Sequence, residues 1–255
     1  MKRLLFVSSL VLAILLCASS LQAHMLWLNA SDYTPRLGET VSIEIGWGHA
    51  FPREQFISEG RLEQVFALDA TGQKTELRMI FPSFYQFTPK AEGAYRIVAV
   101  LKSGFLSITS DGHARGNRKD LSNVVTCFQY MMDAEAWIRV GDKKSAFSGK
   151  EQAPLKLLAM NDPVSLKAGQ SLPLKVMFQG KPLAGVKVTG TFAGRKAGKD
   201  DHWAVEEETG PDGIANVKLD SPGQWLFRVA HKTPYPDKTE ADDYSYRTSL
   251  TFGVM

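Results

Sequence analysis

Apolar and polar residues alternate in short runs along most of the chain. Val41, Ile43, Ile45 and Trp47 alternate with Ser42, Glu44 and Gly46, the period of two expected of a half-buried strand. Residues 64–69 and 74–81 flank a turn-forming stretch at 70–73, which predicts a hairpin. Residues 94–102 predict a further strand, entered from Glu92-Gly93. Across residues 103–122 the pattern fails, and a long polar loop with two turn signals is expected. Residues 123–140 are ambiguous: Val124, Val125 and Ile138 favour a strand, whereas residues 131–136 also fit a short helical turn.

A second unit follows with a clearer pattern. Leu172, Leu174, Val176 and Phe178 alternate, residues 179–182 turn the chain, and Val186, Val188 and Phe192 are expected to return it. Turns at 210–213 and 221–223 bracket a strand at 214–219. Trp225, Phe227 and Val229 then share one face, as do Tyr244, Tyr246, Leu250 and Phe252. Short strands with Gly/Pro turns and no crossover helices predict an all-β fold of two antiparallel β-sandwich units, the C-terminal one immunoglobulin-like. The expected division is 24–141, a charged linker at 142–154, and 155–255.

Residues 1–23 read as a signal peptide. Lys2 and Arg3 precede an apolar run at 4–17, and Leu21 and Ala23 occupy the −3 and −1 positions of a cut after Ala23. The run is too short to span a membrane, which takes about 20 apolar residues. A periplasmic or secreted protein is therefore expected, beginning at His24. Cys17 leaves with the leader, so Cys127 has no partner for a disulfide framework. The net charge of +3 includes Lys2 and Arg3. The processed chain is thus near neutral, which argues against a nucleic-acid or acidic-membrane partner.

The histidines are His24, His49, His113, His202 and His231. His49 continues the face of Val41 to Trp47, and His231 continues the face of Trp225, Phe227 and Val229. Each sits where a buried stripe reaches the end of its strand. Either alone would suit a rim histidine bonded to a carbonyl. A histidine at a processed N-terminus, however, offers an amine and an imidazole together. With one or two further imidazoles, that donor set suits Cu(II) or Ni(II). His113 and His202 are expected on exposed loops, Met25 in the core, and Asp242, Asp243 and Tyr244 beside the site as oxygen donors or as groups that orient an imidazole.

The leader junction before "AHMLWL", the elements "GETVSIEIGWGHAFP", "PLAGVKVTGTF" and "TGPDGIANVKLDSPGQWLFRVAHK", and the closing "DDYSYRTSLTFGV" resemble a bacterial periplasmic family. It is a domain-of-unknown-function family associated with nickel and cobalt uptake, whose members accompany transporters of the energy-coupling-factor type. The resemblance implies a protein that binds nickel or cobalt and assists its uptake by a membrane transporter. It also implies that His24, His49 and His231 face the metal, with Asp243 in an acidic-aromatic element before the last strand. Tyr244 and Tyr246 stand where the family commonly has tryptophan. Two other classes remain open: a copper-binding histidine-brace protein or oxidase, and a structural or adhesive β-sandwich without metal.

Overall fold

A computed structural model describes residues 24–143, 153–196 and 203–255. The leader, most of the expected linker and His202 lie outside the described residues. Apart from a 3-10 turn at Pro163–Ser165, regular structure among the described residues is all strand. The first unit contains β1 (Met25–Ala30), β2 (Val41–Gly48), β3 (Gln55–Phe56), β4 (Leu62–Asp69), β5 (Lys74–Glu76) and β6 (Arg78–Phe81). It continues through β7 (Phe84–Phe87), β8 (Gly93–Leu101), β9 (Gly104–Thr109), β10 (Gly112–Arg115) and β11 (Val124–Val140). The second unit opens with β12 (Leu155–Ala159), β13 (Ser171–Phe178), β14 (Lys181–Pro182) and β15 (Lys187–Phe192). It ends with β16 (Val205–Glu208), β17 (Ile214–Lys218), β18 (Gly223–Pro234) and β19 (Asp243–Val254).

The two units share a sheet. One central sheet runs β16-β15-β18-β19-β11-β8-β4-β5, with the β9–β10 hairpin attached along β11. Its seam is a parallel pairing of β11 with β19, from Phe128 opposite Asp243 to Ala136 opposite Thr251. β1, β2, β3, β6 and β7 form one outer sheet, and β12, β13, β14 and β17 form another. The outer sheets cover opposite faces of the central one. Met132, Ala134, Ala136, Ile138 and Val140 of β11 point into the first core with Leu26, Ile43 and Ile45. Trp137 points the other way, into a second core with Leu172, Leu174, Phe227 and Phe252. The all-β expectation therefore holds, but the two sandwiches are fused along a common layer.

That fusion explains the ambiguous stretch at 123–140. β11 forms one strand of 17 residues, with one apolar face in the first core and a second face on which Met131 and Trp137, packed in the second core, interrupt Gln129, Asp133, Glu135 and Arg139. Three further expectations are corrected. The stretch 74–81 divides: β5 stays beside β4 in the central sheet, while β6 crosses to pair with β7. Residues 103–122, expected as a polar loop with two turn signals, hold the β9–β10 hairpin. The strand after residues 179–182 does not return along β13; β15 crosses to the central sheet between β16 and β18.

On the second-core face, β11 carries acidic side chains into the interior. Asp133 Oδ2 accepts a hydrogen bond of 2.6 Å from Thr248 Oγ1, and Glu135 lies 3.6 Å from Arg96. Burial pushes Asp133 up from 3.8 to about 7, with the nearby Glu135 acting in the same direction. The folded protein thus keeps a proton that the unfolded chain releases between those values, so its stability falls as pH rises through that window. Asp133→Asn removes this titration. Thermal melts across the window should show a flatter decline than in the parent, and a more stable variant above pH 7. Parallel profiles would place the proton elsewhere.

Candidate functional site

The site begins with strand register. Met25 pairs with Gly48 and Leu26 with Trp47, so one step further His24 meets His49 across β1 and β2. Their ring centroids lie 4.5 Å apart with planes tilted by 48°. His24 also stacks on Trp47 at 5.3 Å and 10°. Arg61 lies over the same indole, with its guanidinium carbon 4.4 Å from the centroid.

The segment that carries His49 is pinned from several sides. The Glu54 carboxylate accepts from the backbone N–H of His49 and, at 2.7 Å, from that of Ala50. Gly48 lies at φ 138, and a Cβ there would run into the Glu54 carboxylate, so glycine meets both demands. The Pro52 carbonyl accepts from Trp27 Nε1 at 2.8 Å and from Asn29 Nδ2 at 2.9 Å. Arg53 forks onto Glu44, with Nη2 2.7 Å from Oε2. Met25, as expected, is buried, packed with Trp27 and Leu226.

β1 is fixed on its other side by the last strand. Ser249 Oγ donates to the Leu26 carbonyl at 2.7 Å and Thr251 Oγ1 to the Leu28 carbonyl at 2.6 Å. Arg247 Nη1 reaches the His24 carbonyl at 3.4 Å. Alternate side chains of β19 thus serve alternate carbonyls of an edge strand.

His24 and His49 open onto a cavity of 570 Å³ between the first outer sheet and the central sheet. Its apolar wall comes from Trp47, Leu106, Ile108, Phe128, Tyr130 and Met132. The β9–β10 register sets His113 opposite Ile108 and Arg115 opposite Leu106, and all four line the cavity. His113, expected on an exposed loop, therefore joins the rim. The Asp111-Gly112 dipeptide between alternating residues was the signal for that hairpin. Burial, and next the charge of His49, push the His24 imidazole below its ordinary 6.5; Arg61 and His113 act in the same direction, while Glu54 opposes them.

The expected trio of His24, His49 and His231 is not brought together. His231 pairs with Tyr246 and sets its ring 4.7 Å from Phe178 of the second outer sheet. That is the opposite face of the central sheet, and alternation sends its neighbour Lys232 into the cavity instead. Asp243 lies on the cavity side but at its margin, 3.9 Å from Lys232 Nζ. Asp242 is engaged elsewhere, by Arg118 and by the Cys127 N–H at 2.7 Å. Among the described residues, no group of three or more His, Cys, Asp or Glu side chains is arranged to hold a metal ion.

A family model described as Domain of unknown function (DUF4198) matches residues 21–233. The chain belongs to this family. The match takes in His24, His49, His113 and His231 but stops before β19. No curated protein matches the chain. Similar solved structures include the D00-D0 domain of intimin, 16% identical over 89% of this chain and 99% of that one, with TM-score 0.22. Others are the fibronectin(III)-like modules of Clostridium thermocellum CbhA, at 14%, 89% and 94% with TM-score 0.21, and murine CEACAM1b, at 10%, 91% and 100% with TM-score 0.22. At such TM-scores the overlap assigns neither fold nor function.

The β19 ladder has a measurable consequence. Ser249→Ala and Thr251→Val each remove a donor from a carbonyl at the edge of β1, and each should cost about 1–3 kcal/mol. Amide exchange should accelerate selectively in β1 and β2. Uniform acceleration across both cores would show that the ladder does not specifically hold β1.

Proposed function

We propose that this protein, exported and cut after Ala23, binds a divalent transition-metal ion through the amine and imidazole of His24 and the imidazole of His49. The observation that carries this reading is the direct cross-strand facing of the two rings at the mouth of a cavity. The described side chains alone do not assemble a three-ligand group. The amine that processing would free supplies a third donor beside the two imidazoles. An amine and two imidazoles favour the tetragonal preferences of Ni(II) and Cu(II). Burial and the neighbouring His49 push the His24 imidazole below its ordinary value, which favours the unprotonated ring that a metal needs.

Nickel or cobalt is the cargo suggested by the family resemblance, with copper the alternative. Delivery to a membrane uptake transporter follows from the same resemblance. The concave site, walled by both sheets and the β9–β10 hairpin, suits a small solute better than a polymer chain. This favours a binding and presenting role over a copper oxidase acting on a polysaccharide.

Calorimetric titration of Ni(II), Co(II) and Cu(II) into protein starting at His24 tests this reading. His24→Ala and His49→Ala should each weaken binding at least tenfold, about 1.4 kcal/mol. One extra residue before His24 should do the same by blocking the amine. His231→Ala, on the far face of the sheet, should bind like the parent. Equal affinity of the extended and processed proteins would sink the proposal.

A further inference from the structure

The same cavity carries charges that a metal site alone does not explain. Arg61, Arg115, Lys232 and Arg247 all line it, and among the described residues no Asp or Glu does. Among the described residues, the side chains of Arg61, Arg115 and Arg247 make no ion pair, and Lys232 is only 3.9 Å from Asp243. Glu54, the carboxylate nearest the histidines, is occupied by the N–H groups of His49 and Ala50. The chain as a whole carries a net charge of only +3, so this accumulation is local. A bare dication entering the cavity meets four like charges in a partly desolvated space, where such repulsion is strong.

We infer, resting on the metal reading above, that the metal enters as an anionic polycarboxylate chelate. Guanidinium groups match carboxylates in shape and charge, as two-pronged donors. Arg247 lines the same wall, with Nη1 3.4 Å from the His24 carbonyl. The volume of 570 Å³ is that of a small-molecule site and far exceeds a single ion. Trp47, Phe128 and Tyr130 give the carbon skeleton an apolar wall. The two kinds of group divide the ligand: His24 and His49 take positions on the metal, while Arg61, Arg115 and Arg247 hold carboxylates that the metal leaves outward.

Isothermal titration of the processed protein with nickel chloride, with sodium citrate, and with equimolar nickel–citrate separates the possibilities. Nickel–citrate should bind at least tenfold more tightly than either component alone. Arg61→Gln and Arg115→Gln should each weaken nickel–citrate binding at least tenfold and tighten binding of the bare ion, because a repulsive charge is gone. Arg115 is exposed and its side chain makes no hydrogen bond or ion pair among the described residues, so that variant should fold as the parent does. Nickel chloride binding as tightly as nickel–citrate overturns the chelate while leaving the metal site intact. Citrate alone binding as tightly as nickel–citrate, with no effect of His24→Ala or His49→Ala, overturns the metal reading and leaves a simple anion site. Binding of none of the three overturns both.

Discussion

The placement of His24 depends on how β1 satisfies its free edge. An edge strand presents unpaired carbonyls, and leaving them dry and unbonded is costly. Here Arg247, Ser249 and Thr251, at alternate positions of β19, supply donors to His24, Leu26 and Leu28. These partners lie 223 residues apart in the chain. β1 is thereby tied to β19. The ladder grips His24 by its carbonyl, so the imidazole is left to Trp47 and His49.

The parallel pairing of β11 with β19 has a wider effect. It joins two sandwiches into three layers, and it makes the central sheet a partition with a different environment on each side. Alternation then sorts neighbouring residues of one strand into different sites. On β18, His231 goes to the second core and Lys232 to the cavity. On β11, Met132 lines the cavity side while Asp133 and Glu135, half-buried, line a pocket on the other face beside Lys156 of the second outer sheet. A one-residue offset in either strand would exchange these roles, because side chains alternate strictly with position.

The cavity lies where the first sandwich runs out of apolar filling. Ile43 and Ile45 are fully buried, Trp47 is half-buried, and His49 is exposed, so β2 passes from core to solvent along a single face. The β9–β10 hairpin extends the opposite wall past that point. It carries aliphatic residues inward from β9, and His113 and Arg115 alongside them from β10. Basic groups thus collect around a partly apolar hollow that, among the described residues, no acidic side chain lines. Such a hollow favours anions with some carbon skeleton.

Much of this was legible from residue order. Period-two alternation marked β2, β13, β18 and β19, an apolar run marked β8, and the alternation set His49 and His231 on the faces that continue buried stripes. The leader pattern singled out His24 as a possible first residue. What alternation cannot tell is which sheet covers a given face. His49 and His231 look equivalent along the chain, yet they face different layers, because β11 and β19 pair in parallel and turn the shared sheet into a wall between them. The strand at 123–140 was harder to read because its second face is mixed: Gln129, Asp133, Glu135 and Arg139 share it with Met131 and Trp137, which pack in the second core. His113 and the basic residues around it come together only through the hairpin register and the cross-sheet packing. Local alternation therefore determined which residues face inward; long-range hydrogen bonding between strands decided what each of them faces.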